Sequence, residues 1–223
     1  MIKEDIFITG TGTDVGKTFI SALILKSMLR SGVNAAYFKS AMSGNIRDSK
    51  NNLIPGDALY VKNISETKQP PESMCPYVYE KAYSPHLAAK IEGNPVEADI
   101  VIKKFRELKR EYDCVIVEGS GGILCPLRFD SESKLWLNDI VTSLNLNCIL
   151  VADSGLGTIN TVGLTAEFMK HNNIYLNGII FNRFQPGNIL HEDNLKMCEY
   201  ITGSKVIACV KENDSEIIFR EGE

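Results

Sequence analysis

The chain has 223 residues, of which 44% are hydrophobic and 23% charged, and its net charge is −4. This length and composition are typical of a soluble globular protein, so we expect one domain spanning residues 1–223. The acidic balance argues against nucleic acid as a partner, because binding to a phosphate backbone requires a basic surface. With no apolar run long enough to cross a membrane and no signal-peptide pattern, we expect a cytoplasmic protein without membrane attachment.

Six short, almost continuously apolar runs predict strands that are buried on both faces. These runs are IFIT (6–9), AAYF (35–38), CVIV (114–117), CILVA (148–152), GIIF (178–181) and VIACV (206–210). Helical periodicity is present at 19–30, 100–112 and 160–173, and a short helix is expected near Asp57–Asn63. Strands that alternate with helices predict an α/β fold with a mostly parallel central sheet and helices on both faces.

The segment GTGTDVGKT (10–18) joins the first strand to the first helix. It ends as a phosphate-binding P-loop does, but the common pattern requires glycine at position 11, where this chain has Thr11. In a P-loop, backbone N–H groups surround the phosphates, Lys17 reaches the outer ones and Thr18 ligates Mg²⁺. The flanking strand and helix favour a P-loop with a longer front half over a glycine-rich turn that carries a surface lysine.

Polar side chains follow several predicted strands at their carboxyl ends, where ligands bind in open α/β sheets. Lys39 follows the second strand and is a candidate for holding an anionic substrate. Glu118 and Asp153 follow the next two strands in the same way, and either one could hold a metal; the glycines after Glu118 favour that residue. Asn182 could contact adenine, whereas Asp57 alone reads as a helix cap.

Six segments, in order along the chain, resemble the dethiobiotin synthetase family. They are FITGTGTDVGKT, YFKSAMSG, GDALYV, YSPHLAAKIEG, VEGSGGILCPL and ADSGLGTINTVGLT. The resemblance implies a P-loop NTPase-like fold and a reaction in which 7,8-diaminononanoate, CO₂ and MgATP give dethiobiotin, ADP and phosphate. It also implies a homodimer whose active sites lie at the subunit interface.

The resemblance further implies a role for each matching residue. Catalysis would involve Thr13, Lys17 and Lys39 at the carbamate and the transferring phosphoryl group. Mg²⁺ would be held by Thr18, Asp57 and Glu118. ATP would be contacted by Asp14, Val15, Gly16, Lys17, Thr18, Phe19, Asp57, Glu118, Gly119, Ser120, Gly121, Asn182 and Arg183. The diamine would be bound by Ser43 and, from the partner subunit's helix N-terminus, by Gly157, Thr158 and Asn160.

The chain departs from the family pattern in four places, of which the replacement of the usual alanine by Ser120 is a small change. Ser40 replaces the usual proline after Lys39, and Arg183 stands where many relatives have a smaller or acidic residue. The last strand lacks the common Ile-Pro pair, so residues 208–211 receive no role.

Two alternative functions share the nucleotide-binding half of this pattern. An amidoligase similar to cobyrinic acid diamide synthase would need an added glutaminase domain, for which the chain is too short. A regulatory ATPase of the partitioning or septum-positioning type usually has a second lysine early in its loop, and this loop has no lysine before Lys17. Both features favour the synthetase.

Overall fold

The structure, a computed structural model, describes residues 2–220. In chain order its strands are β1 (Ile6–Gly10), β2 (Ala35–Lys39), β3 (Ala41–Met42), β4 (Ile46–Arg47), β5 (Leu53–Ile54), β6 (Tyr77–Val78), β7 (Cys114–Glu118), β8 (Pro126–Phe129), β9 (Lys134–Trp136), β10 (Asn147–Asp153), β11 (Leu176–Asn182) and β12 (Val206–Cys209). Its helices are α1 (Lys17–Arg30), α2 (Gly56–Ser65), α3 (Pro85–Glu92), α4 (Ala98–Leu108), α5 (Leu137–Ser143), α6 (Thr158–His171) and α7 (Ile189–Thr202).

The central sheet has six strands in the order β12-β11-β10-β1-β7-β2, and every neighbouring pair is parallel. These are the six strands that the apolar runs predict, so the α/β fold with a parallel sheet is confirmed. Three small two-stranded sheets, β3-β6, β4-β5 and β8-β9, lie outside it. All six carboxyl ends of the central strands meet at one edge, which is where the predicted site residues converge.

Helices cover both faces of the sheet, as predicted. Side chains of β1 alternate between the two faces: Phe7 packs in one core with residues of α3, α4 and α5, whereas Ile6 and Ile8 pack in another with residues of α1 and α2. A third cluster packs residues of α6 and α7 against β10 and β11. This alternation is the period of an extended strand that is buried on both sides.

The four predicted helices are present as α1, α2, α4 and α6, with ends that differ from the prediction by a few residues. Helices α3, α5 and α7 were not predicted, and α7, with 14 residues, is the longest of the three. Its buried residues are His191, Asn194 and Cys198, so the stripe that faces the core does not show the apolar periodicity by which a helix is found. Among residues 2–220, no helix combines the length and the hydropathy needed to cross a bilayer.

Candidate active site

Two hydrogen bonds hold the loop between β1 and α1 in place. The Thr11 N–H donates to the Val151 carbonyl at 3.1 Å, which ties the front of the loop to β10. The Lys17 ammonium donates to the Gly12 carbonyl at 2.7 Å, so this side chain lies along the loop and is only 6% exposed. Burial lowers the pKa of Lys17, and the nearby Glu118 carboxylate opposes that effect.

Gly16, the last residue before α1, is in the left-handed region with φ 94°. A Cβ atom added there would lie 2.0 Å from Nδ2 of Asn182, so only glycine fits. Asn182 comes so close because its Nδ2 donates to the Val15 carbonyl at 3.0 Å. The last residue of β11 therefore fixes the position of the P-loop through this hydrogen bond.

Four predicted residues meet around one carboxylate. Glu118 is fully buried at the end of β7, and its Oε1 accepts hydrogen bonds from Thr18 Oγ1 at 2.8 Å and Lys39 Nζ at 2.7 Å. The Lys39 ammonium also donates to Oδ2 of Asp57 at 2.6 Å. The strand order explains this convergence, because β7 lies between β1 and β2, with Lys39 directly opposite Glu118 in the register.

The two carboxylates of this cluster raise the pKa values of the neighbouring Lys39 and Tyr37. Burial alone would lower the pKa of Lys39, but Glu118 and Asp57 outweigh it and raise the pKa above its ordinary value. Burial and the Glu118 charge also raise the pKa of Tyr37, whose hydroxyl donates to Glu118 Oε2 at 2.9 Å. At neutral pH Lys39 is therefore charged and Tyr37 keeps its proton.

A cleft of about 730 Å³ opens over this cluster. The predicted residues in its wall are Thr13, Asp14, Gly16, Lys17, Thr18, Phe19, Lys39, Ser43, Asp57, Glu118, Ser120, Gly121 and Arg183. Ala41, Gly56 and Tyr60 also line the cleft and were not predicted. Tyr60 could have been found from the helical spacing, since it follows Asp57 by three residues and so lies on the same face of α2.

Three of the predicted ATP contacts lie behind the cleft wall. Val15 packs against the core beside α1, and Gly119 lies so close to Phe7 and Leu137 that an added Cβ would clash with both. Asn182 is 3% exposed, and its buried Oδ1 has no hydrogen-bond partner among the described residues. The adenine contact by Asn182 remains a prediction.

Gly157, Thr158 and Asn160, which were predicted to bind the substrate of the partner subunit, do not line this cleft. Gly157, with φ 92°, precedes α6, and the neighbouring Leu156 is 93% exposed. Thr158 is buried, and its hydroxyl oxygen has no hydrogen-bond partner within residues 2–220. Residues 155–157 thus form a turn that leads into α6, and neither this turn nor the first residues of α6 line the cleft that contains Lys39.

Arg183 separates the cleft from a second cavity of about 510 Å³. Its guanidinium donates to Asp153 Oδ2 at 2.7 Å and to the Asp14 carbonyl at 2.9 Å. The second cavity is lined by Asp153, Arg183, Phe184, Gln185, Pro186, His191, Lys211 and Glu212. Lys211 belongs to residues 208–211, which received no role in the sequence analysis. It follows the last strand, β12, and ligands bind at the carboxyl ends of the strands in open α/β sheets, so the sequence could have predicted it.

Comparison with known proteins agrees with this geometry. The profile of a family described as an AAA domain matches residues 4–216. The MinC:MinD cell division protein complex of Aquifex aeolicus superposes with a TM-score of 0.57 at 15% identity, over 94% of this chain and 82% of that one. The 54 kDa signal recognition particle protein of Aeropyrum pernix, solved with GDP, gives 0.57 at 15% identity over 98% and 44%. At this identity the likeness shows the fold alone, and the fold and the loop between β1 and α1 place the chain in the class of P-loop NTPase-like proteins.

Curated relatives narrow the class to one family. The ATP-dependent dethiobiotin synthetase of Brachyspira hyodysenteriae is 46% identical, over 94% of this chain and 92% of that protein. The synthetases of Clostridium perfringens and Clostridium kluyveri are 44% and 43% identical, with 94% and 97% of this chain and 91% and 90% of theirs covered. The chain belongs to the ATP-dependent dethiobiotin synthetase family. The resemblance seen in the sequence is confirmed, and the regulatory ATPase and the amidoligase are not favoured.

Proposed function

We propose that this chain makes dethiobiotin from 7,8-diaminononanoate, CO₂ and ATP in biotin synthesis. The observation that carries the proposal is the charged Lys39, held between Asp57 and Glu118 in the same cleft as Lys17 and the P-loop. Two cations facing one cleft suit a reaction in which negative charge moves between a carbamate and a triphosphate. Membership of the synthetase family supplies the reaction type.

The oxygen donors of this cleft fit Mg²⁺ as the cofactor. Thr18 Oγ1 and Glu118 Oε1 lie 2.8 Å apart, and Asp57 reaches the same lysine that Glu118 binds. Residues 2–220 contain no group of three or more His, Cys, Asp or Glu side chains that could hold a metal. This agrees with Mg²⁺, which protein sites usually bind through one or two carboxylates together with substrate phosphates. When bound, Mg²⁺ would neutralise charge on the phosphates.

The protein's own groups then have positioning and electrostatic roles. One substrate amine adds to CO₂ and gives a carbamate, whose oxygen attacks the γ-phosphorus of ATP and displaces ADP. The second amine attacks the resulting mixed anhydride, releases phosphate and closes the cyclic urea. In this scheme Lys17 and the loop N–H groups hold the phosphates, while Thr13 and Lys39 stabilise the carbamate and the transferring phosphoryl group. Ser43, in the same cleft, would contact the diamine.

The two adjoining cavities suggest how ATP would lie. Lys17 and Thr18 line the larger cleft, so the triphosphate belongs there, and the nucleoside would extend past Arg183 toward the second cavity. Val15, Gly119 and Asn182, which do not line the cleft, would hold the residues that do line it in position. A cytoplasmic location, where ATP is abundant, and the absence of nucleic-acid binding are part of the same proposal.

We further propose a homodimer with active sites shared between subunits. Residues 155–160 lie outside the cleft of their own chain but present the N-terminus of α6, whose dipole and free N–H groups suit a carboxylate. Two exposed apolar side chains lie here, Leu156 within the segment and Leu164 further along α6. A second chain that covers them would bring Gly157, Thr158 and Asn160 to the partner's cleft.

Phosphate release tests the reaction directly. Purified protein is given MgATP, bicarbonate and diaminononanoate, and phosphate is measured with each component omitted in turn. We expect release only with the complete mixture, because the carbamate that attacks ATP forms from the diamine and CO₂. Equal hydrolysis without the diamine would contradict the proposal.

A further inference from the structure

Tyr37 lies directly beneath the proposed metal site without lining the cleft. It is the central residue of β2 and fully buried, and its hydroxyl donates to Oε2 of Glu118 at 2.9 Å. None of the roles above uses this residue. A tyrosine hydroxyl inside a protein usually has a partner, but here the partner is the one fully buried carboxylate of the site.

The two oxygens of Glu118 have separate surroundings. Oε1 accepts from Thr18 and Lys39, both of which line the cleft. Oε2 accepts from Tyr37, on the core side of the carboxylate. Without the tyrosine hydroxyl, Oε2 would be buried without this donor, and the carboxylate would be free to turn about its last bond. The hydroxyl therefore helps to hold the plane of the carboxylate, with one oxygen on the core side and the other toward the cleft.

The backbone of Tyr37 is held by the side chain of Gln69, which makes the hydrogen bonds that a neighbouring strand would otherwise make. β2 is at the edge of the central sheet, so its outer backbone groups have no ladder partner. The Gln69 side chain, 1% exposed, accepts from the Tyr37 N–H at 2.8 Å and donates to the Tyr37 carbonyl at 2.9 Å. Both backbone groups of Tyr37 are thereby satisfied, which stabilises its backbone at this edge of the sheet.

We propose that Tyr37 is a positioning residue for Mg²⁺ binding: its hydroxyl, fixed by Gln69, holds one oxygen of the Glu118 carboxylate so that the other oxygen is presented to the metal. This inference rests on the proposed role of Glu118 as a metal ligand. Hydrogen bonds from outside the coordination sphere commonly orient metal-binding carboxylates, and their loss typically weakens metal affinity or activity by about 10-fold to 100-fold.

The substitution Tyr37→Phe removes the hydroxyl and keeps the ring. Mn²⁺, which shares the oxygen-ligand preference of Mg²⁺, is titrated into the protein with ADP, and free Mn²⁺ is measured by its paramagnetic resonance signal. We expect Mn²⁺ affinity to fall about 10-fold or more, with ADP affinity in EDTA unchanged within twofold. The Mg²⁺ concentration for half-maximal turnover should rise correspondingly, and saturating Mg²⁺ should recover most of kcat.

Tyr79→Phe is the matched control. Tyr79 is also buried, but its hydroxyl donates to the Asn94 carbonyl at 2.6 Å, outside the cleft. Wild-type Mn²⁺ affinity in Tyr37→Phe, an equal loss in Tyr79→Phe, or a parallel loss of ADP binding in EDTA would each overturn the role of Tyr37. Failure of the wild-type protein to bind Mn²⁺ would instead overturn the proposed metal site, and the role of Tyr37 with it.

Discussion

Lys39 keeps its positive charge inside the protein because two carboxylates flank it. Its ammonium lies 2.7 Å from Glu118 and 2.6 Å from Asp57, and these charges hold its pKa above the ordinary value despite burial. The group therefore stays cationic throughout the neutral range. Sequence reasoning could propose Lys39 from its place after a strand, but it could not show that Asp57, otherwise a plausible helix cap, is its partner.

Lys39→Gln should reduce kcat by about 100-fold to 1,000-fold, which is the usual effect of removing one preorganised electrostatic donor. Glu118 keeps the hydroxyl donors Thr18 and Tyr37, so we expect the variant to remain folded at the assay temperature. Turnover is measured at saturating MgATP, with far-ultraviolet circular dichroism as the check on folding. Lys26→Gln, on the outer side of α1, is the control. Near-normal turnover in Lys39→Gln would show that Lys39 only forms ion pairs with Asp57 and Glu118 and has no role in catalysis.

At the scale of elements, the junction between the P-loop and α1 depends on β11, far away in the chain. Gly16 accepts the close approach of Asn182 because it has no side chain. The glycine is visible in the sequence, and so are the six strands, because continuous apolar runs are characteristic of buried parallel sheet. Helix α7 is not, because its buried stripe contains His191 and Asn194.

Gly16→Ala should abolish detectable ATP binding and lower the free energy of unfolding by ~1–3 kcal/mol, because the new Cβ would displace Asn182 and strain a left-handed residue. Gly32→Ala is a matched control, since Gly32 has φ 80° and open space around its Cβ position. Gly32→Ala therefore places a side chain on a left-handed residue, as Gly16→Ala does, but without a clash with a neighbouring side chain. Urea unfolding and ATP titration are compared for both variants. Equal effects of the two substitutions would show that the approach of Asn182 is unimportant.

At the scale of the whole molecule, the proposed dimer predicts recovery of activity on mixing two inactive variants. Lys39→Gln disables the cleft, and Asn160→Asp places a negative charge where the substrate carboxylate would bind. If each site uses Lys39 of one subunit and Asn160 of the other, half of the exchanged dimers have one intact site of two. About a quarter of wild-type activity should then return. Heterodimers confirmed by mass spectrometry but inactive would contradict site sharing.

The sequence by itself determined the strand–loop–helix P-loop, the parallel α/β fold and the family, because these depend on local patterns and on motifs in order. Strand-end position alone did not separate Glu118 from Asp153, since both follow an apolar strand in the same way, and only the glycines after Glu118 and the family resemblance favoured Glu118. The tertiary structure shows the physical difference between them. β7 lies between β1 and β2, so Glu118 meets Thr18 and Lys39, whereas β10 lies on the other side of β1 and Asp153 pairs with Arg183. Strand order is a long-range property of packing, which local sequence around a carboxylate does not encode.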